Sequence, residues 1–285
     1  MIIQLPKKYN NRNVNQNVTS ALCIICKFYK EVDIPMYINH YINYLGFNHI
    51  YMYVYNSKFD IKKYENMNVT VIDANKLNIK NPVQQNIYND FIKSDLFQKY
   101  DFTAFFDDDE LLWVSDKYNH NVNKFLSYNN NMYYLIPWRF IGGNVPLHDR
   151  NNSYKDTYFY VDKSISWPLL NKVILRKDAV FDFSFHEVHS VIFKSKITPW
   201  VNKNSRLDTH YTNNCNIICT HLFEYDYNYC DIMLYHYAFR TQLEYIEKLN
   251  SKMVCTFDDQ IVKNTYFADL EYKTNYDLYI NPFNV

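Results

Sequence analysis

Asp107-Asp108-Asp109-Glu110 sets four acidic side chains in a row between two apolar runs, residues 102–106 and 111–114. An apolar run that ends in acid reads as a buried strand reaching the edge of a sheet, with the carboxylates emerging at its end. In an extended strand Asp107 and Asp109 share a face and Asp108 points the other way. Two carboxylates at that spacing repel each other unless a cation lies between them. Hard oxygen donors favour Mg2+, Mn2+ or Ca2+. A solvated acidic turn is the other reading of the same residues.

The cysteines offer less. Cys23, Cys26, Cys215, Cys219, Cys230 and Cys255 are too scattered for a disulfide scaffold. Cys23 and Cys26 could form half of a zinc site with Cys215 and Cys219. They fall, however, within Ala21-Leu22-Cys23-Ile24-Ile25-Cys26, a buried strand in which free cysteine is an ordinary core residue.

The elements that would position the acidic residues follow from periodicity. Residues 20–27 read as a first buried strand. Apolar or aromatic residues at 34, 37, 38, 41, 42 and 45 make a helical stripe, and Gly46 stops it. Residues 49–55 alternate as a second strand, and 69–72 form a short third. A helix is expected over 82–100, with Asn81 as its cap and Pro82 in its first position. The acidic strand follows. This alternation of strands and helices predicts an α/β fold with a parallel sheet. Ligands of such sheets bind at the carboxyl ends of strands, where Lys27, Asn56 and Asp107 fall.

Beyond residue 114 the pattern loosens. A short surface helix is expected within 119–131 and a strand over 133–140, followed by Gly142-Gly143. Glycine is so scarce here that this pair suggests a positive φ or a close ligand approach, with a plain tight turn as the alternative. Residues 172–175 and 188–193 look like strands around Phe185-His186-Glu187. Residues 198–216 read as irregular. Residues 231–237 are a strand or the start of a helix, and Thr241-Gln242-Leu243-Glu244 opens a helix with a capping box.

Composition bounds the classes. At 48% hydrophobic and 19% aromatic the chain is not a disordered protein. Thirty basic and thirty acidic residues cancel, which argues against a protein that wraps nucleic acid. The abundance of Tyr, Asn and Lys reflects AT-rich coding, with Tyr filling core places that Phe, Leu or Trp fill elsewhere. No apolar stretch reaches the roughly 18 residues of a membrane span, and no secretory leader is evident. The expectation is a soluble, cytoplasmic protein: a flexible lead-in at 1–18, then a single domain over 19–285.

The order of motifs resembles the GT-A glycosyltransferases of family 92 and their family-2-like relatives. The resemblance runs from Lys27 with His40 in the following helix, through Tyr53-Val54-Tyr55-Asn56-Ser57, to Gln84 ahead of Tyr88-Asn89-Asp90. It continues with Asp107, Asp109 and Glu110, then Trp138-Arg139-Phe140-Ile141-Gly142, then Lys172 and Ile174 with His186. It ends on His236-Tyr237, Arg240-Thr241 and Lys248, and so covers about residues 20–252. Phe28-Tyr29 and Arg240-Thr241 depart from the family's usual Asn-Glu and Lys-Ser. What the resemblance implies is a Rossmann-like mixed sheet flanked by helices, with a nucleotide-sugar half over 19–115 and an acceptor half over 116–285.

It further implies a metal-dependent enzyme, using Mn2+ or Mg2+, that moves a sugar from a nucleotide diphosphate to a glycan or glycoconjugate hydroxyl with inversion. The donor would be a UDP-sugar, and the enzyme could form a homo-oligomer. Asp109 would hold the ion, Asp107 would lie close to it or to the ribose, and His236 would complete the shell. Lys27 would lie on the donor side, Arg240 and Lys248 would meet the phosphates, and Asn56 and Gln84 the uracil edge and ribose. Trp138, Arg139 and His186 would face the acceptor, with Trp167 and Trp200 as further sugar platforms. Glu187 is the expected base, with Asp149 and Asp208 behind it. A sugar nucleotidyltransferase is the enzymatic alternative, but Phe28-Tyr29-Lys30 lacks the glycine-rich loop it would need. A non-catalytic glycan- or metal-binding protein on the same fold is the third reading.

Overall fold

The computed structural model describes residues 17–26, 31–80, 82–141, 159–162, 171–178, 183–187, 190–193, 206–211, 217–224, 231–237 and 276–279. The chain enters through β1 (Ser20–Cys26), in which every residue is buried. Burial on both faces is what the uninterrupted apolar run required. Leu22, Ile24 and Cys26 enter one hydrophobic core, while Ala21, Cys23 and Ile25 enter another on the opposite face.

Helix α1 (Asp33–Asn39) continues directly into a π-helical turn, His40–Tyr44. The expected stripe is there, with Ile34, Tyr37, Tyr41 and Leu45 fully buried. Gly46 ends it at φ +78°, a left-handed conformation that costs glycine least. Strands β2 (His49–Val54) and β3 (Val69–Asp73) follow, then helices α2 (Val83–Ile92) and α3 (Asp95–Gln98), then β4 (Phe102–Asp107). The single helix expected over 82–100 is therefore two. The Ser94 hydroxyl donates to Phe91 O at 2.6 Å, and Ser94 itself is extended, so the chain breaks there and restarts. Pro82 precedes the first helical residue rather than occupying it.

β1 pairs in parallel with both β2 and β4, and β2 with β3, giving the order β3-β2-β1-β4. The direction of winding reverses at β1. Such a switch point opens a crevice at the carboxyl ends of the two central strands. Here those ends are Cys26 and Asp107, and Ile25 stands opposite Asp107 in the register.

After β4 the sheet turns antiparallel. Strand β5 (Glu110–Val114) leads to α4 (Val122–Asn129), whose Asn121 side chain accepts from Lys124 N–H as a cap. Strands β6 (Tyr133–Ile141), β7 (Phe159–Asp162) and β8 (Asn171–Arg176) come next. Then follow β9 (Phe183–Glu187), β10 (Ser190–Phe193), β11 (Arg206–Tyr211), β12 (Ile217–Glu224), β13 (Ile232–Tyr237) and β14 (Tyr276–Tyr279). β8 joins β4 and β6 antiparallel to both, and the large sheet runs β14-β7-β6-β8-β4-β1-β2-β3. β13 lies beside the far half of β6, in parallel, and beside β5, antiparallel. A second sheet, β11-β12-β10-β9, is wholly antiparallel. The chain is thus a mixed α/β protein with a parallel, Rossmann-like core.

Residues 198–216 were expected to be irregular, yet β11 lies within them; its Arg-Leu-Asp-Thr-His-Tyr sequence alternates too weakly to stand out from a polar loop. Residues 231–237 resolve to strand. The helix expected at 241–249 and the Gly142-Gly143 pair lie outside the described residues, as does the lead-in up to residue 16. Helix α1 with its π turn, together with β5, covers one face of the parallel strands; α2, α3 and Phe185 of β9 cover the other.

Candidate functional site

β4 ends at Asp107 and β5 begins at Glu110, so Asp108 and Asp109 form a two-residue turn at the switch-point edge. Asp107 and Asp109 therefore do not share a strand face, as extended spacing had suggested. The turn sends the two carboxylates to different partners.

Asp107 is held from inside. Lys172 of β8 places its Nζ 2.6 Å from Asp107 Oδ2, and the Gln84 amide of α2 donates to Oδ1. Asp107 N–H donates to Glu110 Oε2 at 2.7 Å, and Lys172 Nζ lies 3.6 Å from Glu110 Oε1. The Lys172 and Glu110 side chains have no exposed surface, whereas Asp107 keeps 25% of its own. Burial works against the Lys172 ammonium, but the Asp107 and Glu110 carboxylates outweigh it and raise its pKa. Burial pushes the Glu110 carboxyl well up, against the pull of Lys172. Both shifts favour the protonated form and do not oppose each other. Lys172 is the member that stays charged, because its contact with Asp107 is a full angstrom shorter than that with Glu110.

The backbone of the turn is gripped from both faces. Tyr37 and Tyr41, one helical turn apart on α1 and its π extension, donate to Asp107 O and Glu110 O, each at 2.9 Å. Tyr41 also accepts from Leu112 N–H, and the His40 ring contacts Leu112 O at 2.9 Å. Burial pushes both phenols far above their ordinary range, so they remain donors. From the other face Tyr88 donates to Phe106 O at 3.1 Å and accepts from Gln84.

Asp109 faces a different neighbour. Its carbonyl accepts from Tyr237 N–H at 2.8 Å, and its Oδ1 lies 3.3 Å from His236 Nε2. Strand register explains the meeting, since β13 pairs His236 with Glu110 on β5. Both side chains keep some exposed surface, 15% for Asp109 and 11% for His236.

The structure thus brings Asp107, Asp109, His236 and Gln84 to one sheet edge, although residues 84 and 236 lie far apart in sequence. Asn56 sits just past β2 with φ +52°, its N–H donating to the Asn75 side chain at 3.2 Å. Trp138 and Arg139 lie on β6, paired with Leu234 and Tyr235 of β13, immediately before His236 in that ladder. His186 and Glu187 end β9, which docks on α2 where the Asn89 amide brackets the Phe185 backbone. Asp208 is on β11, opposite His221. Lys27, Arg240, Lys248, Asp149, Trp167 and Trp200 lie outside the described residues. Cys23 and Cys26 are buried free thiols of β1, and burial raises both pKa values; Cys215 is outside the described residues.

Lys172 and Glu110 belong to the motifs of the resemblance, but no site role is expected of either. The signal was present, because a lysine inside Asn171-Lys172-Val173-Ile174-Leu175 breaks an apolar strand and has to find a counter-charge. Among the described residues no group of three or more His, Cys, Asp and Glu is arranged to hold a metal. A carboxylate and an imidazole 3.3 Å apart do fit two adjacent positions on one octahedral Mn2+ or Mg2+ ion, whose neighbouring donors lie about 3 Å apart.

No family model matches the chain, and no curated protein sequence does. Solved structures that match include the bifunctional IspDF from Campylobacter jejuni, at 8% identity over 56% of this chain and 42% of that one, with a TM-score of 0.32. The chain thus spans less than half the length of that protein, and a likeness this distant carries no inference about function.

Proposed function

We propose that the chain is a GT-A-type glycosyltransferase that uses a divalent ion to move a sugar from a nucleotide diphosphate, a UDP-sugar, to a hydroxyl of a glycan or glycoconjugate. One observation carries the reading: Asp109 and His236 meet, partly exposed, at the switch point of a β3-β2-β1-β4 sheet. That is where α/β sheets bind nucleotides. Asp109 and His236 would hold the ion, which when bound offsets the charge of the departing diphosphate.

The chain's own residues supply the rest. Tyr37, Tyr41 and Gln84 fix the acidic turn, so its donors need no rearrangement on binding. In an inverting displacement the acceptor oxygen bonds to the anomeric carbon as the bond to the diphosphate oxygen breaks. The acceptor proton passes to a carboxylate, for which Glu187 at the end of β9 is the choice. Trp138, Arg139 and His186 would line the acceptor side, and Lys27, Asn56, Arg240 and Lys248 the donor side.

The test is a thermal-shift screen of the full chain against UDP, GDP and their sugars, with and without Mn2+. A ligand at about a hundred times its Kd stabilises the folded state by about 2.7 kcal/mol, enough to move the melting temperature by several degrees. UDP with Mn2+ is expected to do so. A transition unmoved by every nucleotide in the presence of metal would sink the proposal.

A further inference from the structure

The Lys172 ammonium stands 2.6 Å from Asp107 and 3.6 Å from Glu110, with no exposed surface on Lys172 or Glu110. Two carboxylates crowded into one site require a cation. In carboxylate-rich metal centres that cation is a divalent ion; here a lysine from β8 already occupies the place. The Asp109 charge also acts on Lys172 and Glu110, but its Oδ1 lies 3.3 Å from His236 Nε2. The remaining oxygen of Asp107 is taken by the Gln84 amide, so neither oxygen of that carboxylate faces outward alone.

Resting on the function proposed above, we infer that Lys172 is the built-in cation of the acidic turn. It withdraws Asp107 and Glu110 from coordination, so the protein binds one divalent ion, through Asp109 and His236. Asp107 then acts as a positioning residue that anchors the turn, not as a ligand. Replacing the ammonium with an uncharged side chain leaves two carboxylates facing each other, and a second ion takes its place.

Mn2+ titration of the full chain, read by the electron paramagnetic resonance of the free aqueous ion, tests this alongside a circular-dichroism melt of each variant. Wild type is expected to take up one Mn2+. Asp107→Asn should keep that stoichiometry with affinity lowered by no more than about 10–100-fold, the effect of a residue outside the coordination shell. Asp109→Asn should lose the site. Lys172→Met should raise the stoichiometry to two, an effect that mere loss of packing would not produce. An Asp107→Asn variant that loses Mn2+ as completely as Asp109→Asn overturns the inference while sparing the proposed function. So does a folded Lys172→Met protein that still binds one ion, or a wild type that binds two. Should Lys172→Met fail to fold, the Asp107→Asn comparison decides alone. A wild type that binds no Mn2+, alone or with UDP, overturns both readings.

Discussion

A fully buried lysine is tolerated only where its charge is matched, and the match at Lys172 spans 65 residues of sequence to Asp107. No local pattern could announce that pairing. The acidic run, by contrast, was legible at once, because apolar residues flank it on both sides. What the run did not reveal was its internal division, with Asp107 and Glu110 turned to Lys172 and Asp109 turned to His236. The consequence differs by residue. Breaking a buried ion pair from one side costs about 3–5 kcal/mol, so Lys172→Met is expected to lower the melting temperature sharply. His236→Ala removes a mostly buried partner whose side chain keeps 11% exposed surface at the sheet edge. It should keep the wild-type circular-dichroism spectrum and abolish the Mn2+-dependent stabilisation by UDP. Unfolding of His236→Ala would instead make it a core histidine like His40, which is buried against Leu112 O. Glu187→Gln keeps the size of the side chain and removes the basic oxygen. It should cut sugar transfer severely while leaving the UDP–Mn2+ thermal shift unchanged. Near wild-type transfer by that variant would pass the role of base to Asp149 or Asp208.

At the scale of elements, the parallel core could be read because β1, β2 and β4 are apolar-rich and buried almost throughout, and α1 carries a clean stripe ended by Gly46. Of the second sheet only β10 could, within the strand expected over 188–193; β9, β11 and β12 could not, since their partners are set by tertiary register rather than local pattern. The edge of the sheet opposite the acidic turn has its own clamp. Asp101, just before β4, accepts from the N–H and hydroxyl of Thr19, ahead of β1, at 2.9 and 3.0 Å. Its other oxygen meets Lys177, just after β8, at 2.9 Å. Burial opposes the Asp101 charge, but these hydrogen bonds and Lys177 outweigh it and lower the pKa. A carboxyl whose folded pKa is depressed contributes stability above its unfolded value, about 3.9, and loses it as pH falls through the folded one. Asp101→Asn should therefore cost about 1 kcal/mol at neutral pH, a modest figure because the group is one-third exposed. The gap between the two proteins should close in urea melts taken below pH 3. A gap that stays constant down to pH 2 would remove the carboxylate from the account. Gly46→Ala, by comparison, should cost about 1–3 kcal/mol at every pH, since its φ is left-handed and a Cβ would strike the Asn121 amide.

Across the whole molecule the parallel strands run from a closed edge to an open one. At the closed edge α4 is tied down by Asn123, whose amide donates to Gly46 O at 2.7 Å, and by Val122 N–H donating to Leu45 O at 2.9 Å. At the open edge the acidic turn is held by tyrosines from one face and by Gln84 and Tyr88 from the other. Each face of the sheet thus sends side chains to the same loop, and both cores end beneath it. A ligand bound there makes new contacts only at this edge and stiffens what it touches, whereas α4 lies a full strand length away, at about 3.3 Å per residue. Hydrogen exchange with and without UDP and Mn2+ reads the difference directly. Slower exchange is expected at residues 107–112, at 232–237 and in the first turn of α2, with residues 122–129 unchanged. Protection confined to α4, with none at the acidic turn, would place the nucleotide at the wrong end of the sheet and remove the switch-point argument on which the proposed function stands.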